Sequence, residues 1–293
     1  MEPNVVFQDV AESSTQGGAL NVQADASTVF KGTAHFQDLS VIDIFRDGEV
    51  VTRRGGAIIN KGSLVFEGDS SFLRCEAKGL GDSTSEASGG AISNSGKGEI
   101  VFKGKLTMEE NKADGSSSKQ GGAIFNQGGI IVEGESYFRG NSAGQGGAIA
   151  QQGNAEILLN NFVTFQENSC ALGGGAIFNS QDSDVELNAG VLFVSNIVDP
   201  DSGHFGYGGG LFTSGGVVTF GGSTTFRRNK AIVGGAISIV NGISLSLFPV
   251  PVTLDDDGSW DPAIIIYPED PSDLVFRDND ALSCPDIYPS CLH

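Results

Sequence analysis

Apolar residues in this chain come in pairs spaced two apart: Leu64 and Phe66, Ile100 and Phe102, Ile130 and Val132, Ile157 and Leu159, Val185 and Leu187, Val218 and Phe220, with Thr28 and Phe30 as an earlier, weaker pair. Residues two apart point to the same side of a strand, so each pair predicts one short strand with a buried face. Six residues after the second member stands an aromatic or Met: Phe36, Phe72, Met108, Phe138, Phe165, Phe193 and Phe226. Most of these open a Phe-x-x-Asn tetrapeptide that closes on Asn111, Asn141, Asn168, Asn196 or Asn229, and Phe7 and Phe276 extend the series at either end. The nine rows follow one another at spacings of 27 to 50 residues. Such a period marks a solenoid, a propeller or an array.

A second motif alternates with the first. Gly-Gly-Ala-Ile occurs at 55–58, 89–92, 121–124, 146–149, 174–177 and 234–237, with Gly17-Gly18-Ala19-Leu20 and Gly209-Gly210-Leu211-Phe212 as variants. A third column, four before each Phe or Met, reads Gly32, Gly68, Gly104, Gly134, Asn161, Ala189 and Gly222. Gly with Asn as a substitute is the composition of a left-handed backbone position, with Ala189 as the departure. Each repeat therefore predicts three short strands: one from Ala-Ile-x-Asn, one from the apolar pair, and one ending in Phe-x-x-Asn. Three strands per coil, stacked about 4.8 Å apart, make an all-β parallel β-helix, right-handed by the crossover rule and eight to nine coils long. A propeller would need hairpin turn chemistry at repeat-fixed places, and Asn-Gly or Asp-Gly does not recur there.

In that coil Gly-Gly supplies a tight turn, Ala fits where coils crowd, and Ile fills the interior. Asn60, Asn94, Asn126 and Asn179 form one polar column, with Gln151 interrupting it, and Asn111, Asn141, Asn168, Asn196 and Asn229 form another. Stacked amides satisfy neighbouring backbone groups that would cost about 1–3 kcal/mol each if buried unpaired, so both columns read as structural ladders. The whole chain, 1–293, reads as one domain, with an irregular insertion at 240–275 and a C-terminal half coil and cap at 276–293.

Charge narrows the partners. With 17 basic against 36 acidic residues the chain carries a net −19, which repels nucleic acid. No apolar run approaches the 18 or so residues needed to span a bilayer, and the N-terminal residues lack the basic and apolar segments of a secretory signal. The chain thus reads as intracellular or as a processed piece of something longer. Four cysteines are too few for a disulfide framework. Cys284 and Cys291 stand close enough in sequence to pair, whereas Cys75 and Cys170 read as thiols serving as small core residues.

Alternating Gly-Gly-Ala-Ile and Phe-x-x-Asn resembles the polymorphic outer membrane protein repeat of chlamydiae, from Phe7-Gln-Asp-Val10 to Phe276-Arg-Asp-Asn279. The resemblance implies an extracellular or cell-surface location and an adhesive passenger. The stretch after residue 280 lacks an amphipathic barrel pattern, so autotransport is not read from this chain.

Candidate functional residues fall in three places. The outward column seven before each Phe or Met runs Val29, Val65, Val101, Ile131, Leu158, Glu186, Thr219, an aliphatic stripe suited to docking another protein or to covering by a terminal segment. The neighbouring column Lys31, Glu67, Lys103, Glu133, Asn160, Asn188 reads as a stability ladder. Insertions at Ser40–Arg54, Lys78–Ser88, Asp114–Gln120 and Asp199–Gly208 share one corner and form a rim, where Asp199, Asp201, His204 and Tyr207 are candidate ligand contacts. Trp260 is a further candidate for stacking on a sugar or for closing the irregular stretch. Asp255-Asp-Asp257-Gly258 departs from the calcium-loop pattern, three histidines provide no His-rich metal centre, and no cofactor motif occurs. The reading is a non-enzymatic scaffold that binds a protein or carbohydrate surface. The alternatives are a polysaccharide lyase or hydrolase working in a groove on one face, and an assembly subunit docking through the aliphatic stripe.

Overall fold

The computed structural model describes residues 5–8, 18–42, 53–79, 85–115, 118–180, 182–199, 206–214 and 216–239, together with strand backbone at 11–12, 52, 245–247, 250–251, 271–272, 274–277 and 287–288. Trp260, Cys284, Cys291, Asp201 and His204 lie outside the described residues. The chain is an all-β parallel solenoid. One coil shows the plan: from Gly55-Gly56 it runs through Ile58–Asn60, Ser63–Phe66, Ser70–Leu73 and Glu76–Lys78, then returns through Glu86–Ser88 to the next Gly-Gly. Every strand pairs in parallel with its counterpart one coil on, so Ile58 meets Ile92, Phe66 meets Phe102 and Phe72 meets Met108. The strands form sheets of 9, 10, 9 and 8 members, plus a two-stranded pair of Val250–Pro251 with Pro271–Ser272.

The coil therefore has a fourth wall where the sequence pattern predicted three strands. It consists of short strands after each Phe-x-x-Asn, such as Glu76–Lys78 and Lys112–Asp114, and of return strands such as Glu86–Ser88 and Ser118–Gln120. In the coil with the shortest connection one strand, Ser142–Gln145, spans both: Ser142 pairs with Lys112 and Gln145 with Gln120. The insertions are thus excursions from the middle of this wall. A line of small residues holds the two arms together, with Ala77, Ala87 and Ala113 packed as one cluster. Because the middle coils of this wall bury one alanine per strand, as at Ala77, Ala87 and Ala113, those strands carry no apolar alternation to read.

The core follows from the pairing distance. Identical residues on consecutive parallel strands sit one strand spacing apart, which is also the distance at which aromatic rings stack. Phe36 and Phe72 stack with centroids 4.6 Å apart and Phe193 and Phe226 at 4.5 Å. A second stack, Phe30, Phe66 and Phe102, meets the first edge to face, with Phe66 and Phe72 at 84°. Both faces of the Ala-Ile-x-Asn wall are buried, since outward-pointing Ile59, Phe125 and Ala150 are no more than 3% exposed.

Two glycine columns differ from expectation. The column of Gly68, Gly104 and Gly134 is not left-handed; the left-handed positions include the first Gly of each Gly-Gly, as in Gly55, Gly121 and Gly174, and the residue before each Asn of the Asn111 to Asn229 ladder. That second position tolerates Arg74, Glu110, Glu167, Ser195 and Arg228 as well as Gly140. Gly68, Gly104 and Gly134 are glycine because a Cβ on one would press into the backbone of the turn beneath: on Gly104 it would lie 2.5 Å from the carbonyl of Gly68. The variant near 209 is also shifted by one. Leu211, not Phe212, takes the Ile position and pairs with Ile177, so the motif is Gly208-Gly209-Gly210-Leu211. Gly210 replaces Ala there because a Cβ would stand 2.9 Å from the Phe226 ring.

Candidate binding surfaces

The interior polar groups are spent on the scaffold. In one ladder Asn60 Nδ2 donates to Asn94 Oδ1 at 2.9 Å, Asn94 to Asn126 at 2.8 Å, Asn126 to Gln151 Oε1 at 2.9 Å, Gln151 to Asn179 at 3.2 Å and Asn179 to Thr213 Oγ1 at 3.3 Å. Gln151 continues the ladder rather than interrupting it, because its amide has the same donor and acceptor as Asn at the end of a longer arm. In the other, Asn111, Asn141, Asn168, Asn196 and Asn229 are linked amide to amide at 2.9 Å. Each Asn in this ladder also donates to the carbonyl of the Phe or Met in the preceding coil. All nine Asn side chains are fully buried.

Cys75 stands where this ladder would extend toward the N-terminus, and its backbone N–H donates to Asn111 Oδ1 at 2.9 Å. Cys75 and Cys170 are buried free thiols, and burial pushes both up to about 12. Neither is a thiolate near neutrality.

Ion pairs run along the outside. Arg74 closes on Asp38 through Nε and Nη2, and these bonds, with one from Gln37, hold the Asp38 carboxyl below its ordinary value. Lys112 and Lys119 reach Asp114 at 2.9 and 3.3 Å, and Arg139 reaches Glu167 at 3.1 Å. Glu67 lies 4.0 Å from Lys103. Charge alternates from coil to coil in the turn column Lys31, Glu67, Lys103 and Glu133, so a slip of one coil there would set like charges together.

The aliphatic stripe is continuous in register. Val29 pairs with Val65, Val65 with Val101, Val101 with Ile131 and Ile131 with Leu158, before Glu186 and Thr219 end it. Val29 is 47% exposed and the other four are half-buried. At the rim, Asp199 is exposed and Tyr207 half-buried, its ring 5.7 Å from Phe212, which stacks on Phe178 at 5.1 Å. Tyr207 thereby belongs to an aromatic cluster at the angle between the return strands and the Ala-Ile-x-Asn wall. A shallow groove of about 630 Å³ lies at another corner, its lining including Asp25, Lys61, Lys97 and Glu99. Among the described residues no group of three or more His, Cys, Asp and Glu side chains is placed to hold a metal ion, and no helix is long and apolar enough to cross a membrane.

Sequence reasoning passed over Phe162, which is 48% exposed on the turn between the aliphatic wall and the Phe wall. It also assigned Asn160 and Asn188 to a charge ladder that ends one coil earlier. The signal was present in the turn composition, which changes abruptly after Glu135.

These coils define a repeat-built parallel β-solenoid whose motif residues are consumed by turn, core and ladder. The repeat is similar to that of the Chlamydia polymorphic membrane proteins, whose family model matches residues 135–152 and 162–180, two successive coils that each join a Phe-x-x-Asn strand to the following Gly-Gly-Ala-Ile. No curated protein and no solved structure matches the chain.

Proposed function

We propose that the chain is a non-enzymatic, exported or surface-displayed scaffold that presents its outer faces to a protein or carbohydrate surface. The carrying observation is the polymorphic membrane protein repeat at 135–152 and 162–180 on a solenoid. The repeat's family is associated with the bacterial surface, and its motif residues here have scaffold roles. Asn168, for example, is buried with its amide bonded to Phe138 O and Asn196 Oδ1. Several of the strand and turn carboxylates are paired with a cation of an adjacent coil, as Glu67 with Lys103 and Glu167 with Arg139. Catalysis of glycoside cleavage needs two carboxyl groups facing one bond.

The test incubates the purified chain with neutral and acidic polysaccharides, following bond cleavage and retention on the immobilised sugar. Retention without cleavage is the expected result; cleavage that survives repurification overturns the scaffold reading and favours a polysaccharide-active enzyme.

One observation favours a second reading, an assembly subunit. Five aliphatic residues in register make a flat apolar strip on one wall. Replacing Val65, Val101 and Ile131 together by Ser should then abolish association with the partner while the melting temperature holds.

A further inference from the structure

The turns joining the aliphatic wall to the Phe wall change character half-way along the solenoid. The first four read Lys31-Gly32-Thr33, Glu67-Gly68-Asp69, Lys103-Gly104-Lys105 and Glu133-Gly134-Glu135, with the sign of charge alternating by coil. The next three read Asn160-Asn161-Phe162, Asn188-Ala189-Gly190 and Gly221-Gly222-Ser223. Here the ionic ladder is replaced by amides, one exposed ring and glycines. A scaffold that used these turns only to lock its register would have no reason to stop.

The ring is held in place rather than merely exposed. Asn161 Oδ1 accepts from the Phe162 N–H at 2.8 Å while its Nδ2 donates to Glu133 O at 3.1 Å, and Phe162 O accepts from Ser136 N at 3.0 Å. The ring lies across the next coil, where a Cβ on Gly190 would stand 3.0 Å from Phe162 Cδ2. Gly190 is therefore a shelf, and any side chain there would lift the ring. Beside it Asn188 Nδ2 donates to Asn160 Oδ1 at 2.9 Å and approaches Glu186 Oε2 at 3.4 Å. Gly221 clears the space by Asn188, since a Cβ would sit 3.3 Å from Asn188 Oδ1. Among the described residues the Asn188 oxygen and Asn160 Nδ2 have no hydrogen-bond partner in the protein, which leaves one acceptor and one donor on exposed residues of the same turns that carry the exposed ring.

We infer that the turns 160–162, 188–190 and 221–223 form a binding site for a neutral glycan. A sugar ring has an apolar C–H face and an edge of hydroxyls, each both donor and acceptor. The C–H face fits Phe162, and the edge fits Asn160, Asn188 and the Glu186 carboxylate. Neutrality follows from charge: Glu133 and Glu135 occupy the adjoining turn and Glu186 the adjoining strand, on a chain of net −19, so a carboxylated or sulfated sugar meets like charge. The rigid turn means that little ordering entropy is lost on binding. This inference rests on the scaffold reading and names a ligand class for it.

The experiment measures retention of the full chain on immobilised mannan, galactan and chitin oligosaccharides, with heparin and polygalacturonate as anionic comparators, for the parent and for Phe162→Ala, Phe162→Trp and Asn188→Ala. Retention on at least one neutral glycan is expected, weakened roughly tenfold by Phe162→Ala and kept by Phe162→Trp, with an unchanged melting temperature. Should Phe162→Ala lower the melting temperature, Asn188→Ala decides, with a loss of severalfold expected. No retention on any neutral glycan, retention on the anionic ones alone, or retention indifferent to these substitutions overturns the site while leaving the scaffold reading standing. Cleavage of the glycan overturns the scaffold reading, whatever Phe162 does.

Discussion

Asn141 Nδ2 donates to Asn168 Oδ1 at 2.9 Å, and the Asn141 backbone N–H donates to the same oxygen at 3.1 Å. One buried carbonyl oxygen thus serves two donors of the previous coil, while Asn168 Nδ2 serves Phe138 O and Asn196 Oδ1. Replacing Asn168 by Ala strands all of these groups in a buried interior. The expected cost is roughly 3–5 kcal/mol, read as a lowered denaturant midpoint. Asn168→Asp should be no better, because a carboxylate cannot donate; a variant within 1 kcal/mol of the parent, on the scale of about 1 kcal/mol for an ordinary hydrogen bond, would show that the ladder is not the axial restraint.

Glycines in this chain are required for two separate reasons, and substitution separates them. Gly147 has a Cβ position that would collide with the carbonyl oxygen of Gly175 and lie 2.6 Å from Ser169 N, all of it backbone that cannot yield without parting the coils. Gly140 is left-handed at φ 61°, but its nearest neighbour would be the Glu110 side chain at 3.6 Å. Gly140→Ala should cost about 1–2 kcal/mol, the strain of one left-handed residue. Gly147→Ala should cost clearly more, and equal losses in thermal melts would refute the distinction.

Burial of the two thiols sets their chemistry. With Cys75 and Cys170 raised from 9.0 to about 12, the native protein should resist alkylation at pH 8 and react at both sites once unfolded. The linkage has a definite sign. Unfolded thiols ionise above 9.0 while the folded ones stay protonated to about 12, so stability falls as pH rises through that window. Mass spectrometry after a native alkylation pulse checks the first statement and denaturant midpoints at rising pH the second.

The Asp38 and Arg74 pair gives an effect at the acid end. Asp38 is held below its ordinary 3.8, first by the hydrogen bond from Arg74, then by that from Gln37. Its contribution is present above 3.8 and is lost as pH falls through the lower folded value. Both partners are partly exposed, so the pair is worth about 0–1 kcal/mol and should fade with added salt. Arg74→Ala should move the Asp38 titration upward in a carboxyl-resolved NMR experiment; an unmoved titration would mean that the pair does not form in solution.

Much of the solenoid was legible because its information is local and repeated. Phe66, Phe102 and Val132 fall in one column by counting from the next Phe or Met, and the same three residues pair in the structure. Asn ladders are legible for the same reason, since a buried amide recurring at one place in each coil must bond along the axis. The fourth wall was not legible, because Glu76-Ala77-Lys78 and Lys112-Ala113-Asp114 bury only an alanine each and show no apolar run. The Phe162 turn is not legible in the same way, because an amide in a charge column reads as a gap.

The sequence by itself determined the coil: which residues point inward, where each turn falls, and which polar groups stack, because strand alternation and one-coil repetition are properties of the chain order. The tertiary structure decided what depends on distances between coils. It showed that Gly104 is glycine because Gly68 lies beneath it, that Gln151 reaches as far as Asn, and that Phe162 rests on Gly190 with its ring in solvent. The physical reason is that a column in the sequence gives the order of stacked residues but not their separation, and packing at a single strand spacing leaves room for some side chains and none for others.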